Sequence, residues 1–339
     1  MISAYISAIE YYLPEKTLDN GDLSKIFPEW TPAQIEKKTG IKTRHIAGAE
    51  ETSTDMAVKA AQGLFLAGKA APGEIDFVIL CTQSPDYLLP TSACLIQDRL
   101  GIPTSSGALD INLGCSGFVY ALSLAKGLIE TGSSNSVLLI TSETYSKFLD
   151  PVDKNVRTLF GDGSAATLIK ARKTPDDVKP GIGPFSFGTD GSGADTLIVR
   201  SGGLREHGTT IKDPFLRMDG PSIFSFTLSR IPQLVAELLG KAKMGLHDID
   251  LFIFHQANTF ILEALRKAIG IPPERFVIDI AEKGNTVSST IPIALADAIS
   301  QGKIGSLQNI MLVGFGVGLS WAATVVRMAG ADLDKGQHR

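Results

Sequence analysis

Cys115 stands in the stretch Asp110, Ile111, Asn112, Leu113, Gly114, Cys115, Ser116, Gly117. There an apolar strand runs into a tight glycine turn, and an apolar-periodic segment (Phe118, Ala121, Leu122, Ala125, Leu128, Ile129) begins at once. That pattern puts a thiol at a strand end and a helix N-terminus, where unpaired N–H groups and the helix dipole favour the thiolate of a side chain that otherwise titrates near ~8.5. The chemistry on offer is nucleophilic attack. The competing reading is a small buried hydrophobe, the commoner fate of an intracellular Cys. His255 also ends a strand and is followed by Gln256, Ala257 and Asn258, while Asn285 follows Gly284 in a turn. Taken singly, each has an ordinary explanation: a strand-end His is usually structural, and a Gly-Asn pair is usually a turn. Together they offer more, because a neutral imidazole and a carboxamide both donate hydrogen bonds to a developing oxyanion. A thiolate beside two such donors suits thioester chemistry that passes through an enolate.

The elements that must position these residues repeat. Residues 74–81 and 248–255 share an acidic residue, Ile, Asp and a short apolar strand ending in a reactive side chain, Cys81 or His255. A helix-like segment follows each, closing on Leu100-Gly101-Ile102-Pro103 or Ile269-Gly270-Ile271-Pro272. Second strands are expected at 108–111 and 277–280, each leading to a Gly-containing turn with Gly114-Cys115 or Gly284-Asn285, then a helix, then strands at 136–140 and 309–313. One βαβαβ unit is used twice. Strands alternating with helices predict an α/β fold with parallel, doubly covered sheets, whose functional groups gather beyond the carboxyl ends of the strands. A pseudo-twofold packing of the halves brings Cys115, His255 and Asn285 together. The halves are expected at 1–173 and 174–339, with a linker around 170–184, a looser surface or cap region at 188–214 and a polar tail at 332–339.

Composition narrows the function classes. A chain of 339 residues, 44% hydrophobic, buries a large core. A net charge of -4 without a long basic block argues against a nucleic-acid partner. The first ten residues lack the pattern of a signal peptide, which predicts a cytoplasmic protein. Three cysteines cannot all pair, and the five histidines show no metal-ligand spacing with them, so no zinc site is expected. Residues 310–326 are uncharged, but Gly314, Gly316 and Gly318 break them into two buried strands with a glycine turn rather than a membrane span. The same glycines imitate part of a dinucleotide fingerprint, yet a strand follows where that motif needs a helix, and Gly161-Asp162-Gly163 lacks the Lys-Ser/Thr of a phosphate loop. No nucleotide cofactor is assigned.

Along nearly its whole length the chain resembles the β-ketoacyl-acyl-carrier-protein synthase III family, the initiating condensing enzymes of the thiolase superfamily. The stretches that carry the resemblance are residues 39–46, Gly114-Cys115-Ser116-Gly117-Phe118, Phe160-Gly161-Asp162-Gly163, His255-Gln256-Ala257-Asn258, Gly284-Asn285-Thr286 and the glycine turn before Ser320-Trp321. Their order and spacing are more selective than any one of them. The resemblance implies a duplicated thiolase-like five-layer αβαβα fold, a homodimer, and no metal or redox cofactor. It implies that Cys115 takes a primer acyl group from a thioester, acyl-coenzyme A among them. His255 and Asn285 would bind the carbonyl of a malonyl thioester on a carrier protein, carbon dioxide would leave, and the enolate carbon would attack the acyl-cysteine. Backbone N–H groups of Cys115 and Val317 would form the oxyanion hole, and Phe118 would shape a dry pocket.

This chain also departs from the family pattern. The usual three glycines read Gly316-Val317-Gly318, and Val adds bulk and restricts φ. Phe260 replaces an arginine that helps dock the acidic carrier, leaving Arg266 and Lys267 as basic positions on that helix. Trp30 occupies the place of a tryptophan that stacks on the adenine of coenzyme A, with Lys38 and Lys154 where arginines commonly contact the nucleotide. Leu89 stands where a partner-subunit aromatic often closes the acyl pocket. Two other readings remain in play: acyl transfer from Cys115 to an amine or alcohol, and a non-catalytic binding protein on the same scaffold.

Overall fold

In the computed structural model, which describes residues 1–175, 181–205, 213–305 and 308–328, two sheets carry the chain. Strands β1 (Ile2–Tyr12), β7 (Gly163–Lys173), β6 (Ser136–Glu143), β4 (Phe77–Cys81) and β5 (Gly107–Ile111) lie side by side in that order. β4 is parallel to both neighbours, so Ile79 pairs with Leu109 on one side and Leu139 on the other. In the second sheet the order is β11 (Leu251–Phe254), β12 (Gln308–Gly316), β13 (Ser320–Met328) and β8 (Ile182–Thr189), with β11 and β12 parallel. Every residue of β6 is buried, in keeping with the apolar run at residues 137–140 within it.

Helices α3 (Ser53–Leu66) and α4 (Ser92–Arg99) cover the outer face of the first sheet, and α7 (Gly220–Ala242) and α8 (Thr259–Ile269) that of the second. Between the sheets lie α5 (Gly117–Glu130) and α9 (Thr290–Ser300). This is the αβαβα stack of five layers. A helix flanked by sheets on both sides cannot keep a polar face, and α5 and α9 are accordingly apolar over most of their surface. Phe118 and Leu122 from one, and Ile291 and Leu295 from the other, meet Ile79, Leu139, Ile253 and Leu312 in the central core.

The internal repeat extends to single hydrogen bonds. Asp76, just before β4, accepts from the backbone N–H of Asn135 (2.8 Å) and Ser136 (3.1 Å); Asp250, just before β11, accepts from that of Asn309 (2.8 Å). In return the N–H of Asp76 donates to Ser136 (3.1 Å) and that of Asp250 to Asn309 (2.9 Å). Each aspartate locks the first strand of its unit to the start of the third.

Three expectations need correction. Residues 277–280 are not a regular strand: only a single bridge joins Phe276 to Phe252. The physical reason is Gln256, whose carboxamide donates to the carbonyl of Val277 (3.3 Å) and accepts from the N–H of Asp279 (2.7 Å), taking the positions a neighbouring strand would use. The supposed linker begins and ends in strand, since β7 runs to Lys173 and β8 starts at Ile182. The looser region contains β9 (Leu197–Val199), paired with β10 (Leu216–Met218), and Leu197 is buried rather than on the surface. The tail, His207, His338 and the parts of these regions at 176–180 and 206–212 lie outside the described residues. No helix among the described residues is long and apolar enough to cross a membrane.

A small layer completes the described chain. Strands β2 (Thr17–Asp19) and β3 (Thr43–His45) pair beside α1 (Asn20–Ile26) and α2 (Pro32–Thr39), while α6 (Lys154–Arg157) leads into β7. Arg44 of β3 is fully buried; its guanidinium holds the carbonyl of Thr158 (3.1 Å from Nε) and also donates to Asn20. Burial pushes it down to about 10, so it remains cationic at neutral pH. The stretch 39–46 that marks the family resemblance is therefore structural at this position.

Candidate active site

Cys115, His255 and Asn285 line one cavity of about 420 Å³. Cys115 sits in the turn between β5 and α5, buried, and the second half of the chain closes on it directly. A Cβ on Gly316 would lie 2.9 Å from the sulfur, and one on Gly314 would lie 2.8 Å from the Cys115 carbonyl oxygen. Only glycine lets β12 approach a nucleophile this closely. The N–H groups of Cys115 itself and of Val317 hydrogen-bond toward the sulfur. Val317 fits because its own φ is ordinary and Gly318, at φ +136°, takes the left-handed position of the turn. Ser116 and Ser320 share a 2.7 Å hydrogen bond, and Ser320 donates to the carbonyl of Val317 (2.8 Å), fastening the turn to the nucleophile loop. Sequence reasoning quoted both serines within motifs but gave neither a role.

Burial sets the charge state of the empty site. It pushes the Cys115 thiol up to about 12, with buried Glu143 adding to the rise, while the two N–H groups pull the other way. The expectation of a resting thiolate is thereby corrected: desolvation outweighs the helix N-terminus, which starts only at Gly117. Burial also pushes His255 down to about 3, leaving a neutral imidazole. Glu143 closes β6 and accepts from the N–H of Gln83 (3.0 Å) and the hydroxyls of Ser288 (2.8 Å) and Ser84 (3.2 Å); burial nevertheless lifts it to about 8. It ties the loop after β4 to the turn that follows Asn285. Sequence reasoning missed it; the available signal was an acid shortly after the apolar run at residues 137–140, in a strand read as buried.

Asn285 belongs to the second half but is clamped by the first. Its N–H donates to Leu159 (2.9 Å) and its carbonyl accepts from Gly161 (3.0 Å), forming a short bridge beside Phe160. Gly284 holds φ +72°, and a Cβ there would lie 2.9 Å from Arg44 Cγ. The Asn285 side-chain oxygen accepts from the N–H of Val287 (2.9 Å), so the carboxamide presents its NH₂ group, of which only a long 3.5 Å contact reaches the carbonyl of Ala257. His255 follows β11 directly, stands edge-on to Phe315 with ring centres 5.5 Å apart, and places Nδ1 2.7 Å from the hydroxyl of Thr290. The cavity thus holds a thiol, two neutral donors and two inward backbone N–H groups, an arrangement able to bind a carbonyl and stabilise an oxyanion.

Other anticipated residues fall elsewhere. Phe118 is fully buried in the central core and does not line this cavity. Trp30 packs beside Leu23, Phe27 and Ile35, with the ammonium groups of Lys38 and Lys154 over its ring at 4.3 Å and 5.1 Å. Lys154 also pairs with Glu29 (2.9 Å), and its neighbour Asn155 reaches the cavity. Leu89 is 83% exposed beside exposed Tyr87 and Leu88, away from the cavity of its own chain. Arg266 is not a free docking cation: it binds Glu263 (2.8 Å) and the carbonyl of Ile271 (3.0 Å), whereas Lys267 is exposed. Phe260, 63% exposed, stacks on Phe224 at 5.3 Å near the cavity mouth.

Comparison with known proteins finds relatives over nearly the whole chain. The sequence model described as 3-oxoacyl-[acyl-carrier-protein] synthase III matches residues 109–191, and that of its C-terminal region matches 239–328. A β-ketoacyl-[acyl-carrier-protein] synthase III of Clostridium perfringens is 36% identical over 97% of this chain and 100% of its own length. A crystal structure of a 3-oxoacyl-(acyl-carrier-protein) synthase III superposes with a TM-score of 0.94 at 48% identity, covering 96% of this chain and all of the other. The Pseudomonas aeruginosa enzyme of that name gives 0.88 at 32%, covering 96% and 98%.

Proposed function

The chain belongs to the 3-oxoacyl-[acyl-carrier-protein] synthase III family, and from that premise we infer that it condenses an acyl thioester primer with a malonyl thioester through an acyl-cysteine at Cys115. The observation that carries the assignment of roles is the single cavity where a thiol, an imidazole and a carboxamide from two halves of the chain meet.

Cys115 sulfur attacks the primer carbonyl, and the departing thiolate takes up the thiol proton. The tetrahedral oxyanion is held by the N–H groups of Cys115 and Val317, each such donor being worth ~3 kcal/mol of barrier. A malonyl thioester then binds with its carbonyl oxygen at the His255 and Asn285 donors. Carbon dioxide leaves, and the electron pair becomes an enolate whose charge rests against two neutral groups. The enolate carbon attacks the acyl carbonyl, the carbon–sulfur bond breaks, and a 3-oxoacyl thioester forms with Cys115 released.

The same reading takes 1–173 and 174–339 as the two halves, and acyl-coenzyme A and malonyl-carrier-protein as substrates in the cytoplasm, without metal or redox cofactor. Trp30, Lys38 and Lys154 form the coenzyme A contact, supported by their mutual packing beside α6. Lys267 and the Phe224–Phe260 pair form the carrier contact beside the cavity mouth. Exposed Tyr87, Leu88 and Leu89 form part of a homodimer contact, a use that accounts for three consecutive apolar side chains in solvent.

Intact-protein mass spectrometry with a panel of acyl thioesters, followed by malonyl thioester and measurement of carbon dioxide, tests the proposal. An acyl mass on Cys115 discharged with release of carbon dioxide is expected. Discharge to an amine or alcohol without carbon dioxide would make it an acyltransferase of another kind, and no added mass would leave a binding protein.

A further inference from the structure

The hydrogen-bonding sense of His255 hangs on one hydroxyl proton. Nδ1 lies 2.7 Å from Thr290 Oγ1, while Nε2, on the ring that lines the cavity, makes no hydrogen bond among the described residues. Thr290 is itself buried at the first turn of α9, and its hydroxyl also lies 3.0 Å from the carbonyl oxygen of Val287. That hydroxyl has two neighbours able to accept its single proton. Donated to Val287, it leaves Nδ1 to carry the imidazole proton, and Nε2 then meets the cavity as a bare lone pair. Donated to Nδ1, it moves the imidazole proton to Nε2, which can donate to a carbonyl.

The second arrangement leaves nothing unsatisfied, because the Val287 carbonyl also accepts from the backbone N–H of Thr290. Val287 holds φ +56°, a left-handed conformation strained for a β-branched residue. That conformation lets one residue serve both donors of the site, its N–H fixing the Asn285 carboxamide and its carbonyl facing Thr290.

We propose that Thr290 is a positioning residue of the condensation: with a malonyl group bound, its hydroxyl donates to His255 Nδ1 and so holds the proton on Nε2, turned toward the thioester oxygen. This rests on the role given to His255 above. Thr290→Val keeps the shape but removes the hydroxyl, so that the Val287 carbonyl, which already neighbours the imidazole in the unmodified protein and competes there with Thr290 for Nδ1, becomes the sole partner left to draw the proton onto Nδ1. Thr290→Ser restores the hydroxyl.

The test combines kinetics with nitrogen NMR of protein labelled with ¹⁵N-histidine, in the presence of a malonamide analogue in which nitrogen replaces the thioester sulfur. His255→Ala identifies the His255 signals. Nε2 should be the protonated nitrogen in the unmodified protein and in Thr290→Ser. Thr290→Val should shift the proton to Nδ1 and slow malonyl decarboxylation roughly tenfold or more while acylation of Cys115 is kept, on the scale of a lost hydrogen bond. A protonated Nδ1 in the unmodified protein, or normal decarboxylation by Thr290→Val, overturns the proposal. If Thr290→Val does not fold, the tautomer of the unmodified and serine proteins still decides. Loss of primer loading in His255→Ala would instead overturn the role of His255 itself.

Discussion

The turn holding Cys115 and the turn running from Asn285 to Thr290 are built on the same plan, each leading into one of the two central helices, α5 and α9. They prepare their residues by different means. Around Cys115 the contacts are almost all backbone: the N–H groups of Cys115 and Val317, and the glycines of β12. Around His255 and Asn285 orientation depends on side chains and on Val287, Thr290 and the clamp of residues 159–161. A nucleophile needs access and a place for an oxyanion, whereas a donor needs a defined proton. Burial treats the two alike, pushing the thiol up and the imidazole down, so the resting cavity keeps both groups neutral.

If the two turns divide the work in this way, Cys115→Ser should abolish acyl-enzyme, while Cys81→Ser and Cys94→Ser retain it. Mass spectrometry after primer incubation checks this, and labelling of the Cys115→Ser protein at another cysteine would place the nucleophile elsewhere. His255→Ala and Asn285→Ala should load primer yet lose decarboxylation by ~100-fold or more, the scale of a lost oxyanion donor. Normal decarboxylation with failed loading would reverse the division.

Gly316→Ala probes the backbone side, because its Cβ would lie 2.8 Å from Cys115 Cβ. Loading should fall by ~10-fold or more as the sulfur is displaced, with a smaller effect on decarboxylation. Single-turnover measurement of each half-reaction distinguishes this from general disruption. The smallest effects concern pH. With the thiol pushed up to about 12, its thiolate fraction grows with each pH unit below that value, so alkylation by iodoacetamide should climb ~tenfold per unit through pH 9 without a plateau. His255, held near 3, is already neutral at pH 5, so decarboxylation should show no loss from its protonation between pH 5 and 7. A plateau of alkylation near pH 8 would mark an ordinary thiol and break the symmetry of the two turns.

The repeat was legible because each half must bury the same strands. Asp76 and Asp250 therefore recur with the same hydrogen bonds, and Cys115, His255 and Asn285 could be grouped because each was expected to lie past a strand end at a corresponding place in the repeat. The expected strand at 277–280 was not so readable, since apolar alternation does not reveal that the Gln256 side chain replaces the ladder. Arg266 looked available as a cation because sequence does not reveal that Glu263 and the end of its own helix occupy it.

Periodicity, glycine placement and the duplicated pattern by themselves determined an α/β fold of two related units and the three residues that meet between them. These are properties of local geometry and apolar burial, which the order of residues carries directly. Only the tertiary structure decided the protonation of the thiol, the partners of the imidazole, the clamp on Asn285 and the place of Glu143. Desolvation and hydrogen bonding depend on what lies within a few ångströms, and here those neighbours come from other segments of the chain, from 35 residues away for Thr290 and His255 to 145 for Ser288 and Glu143.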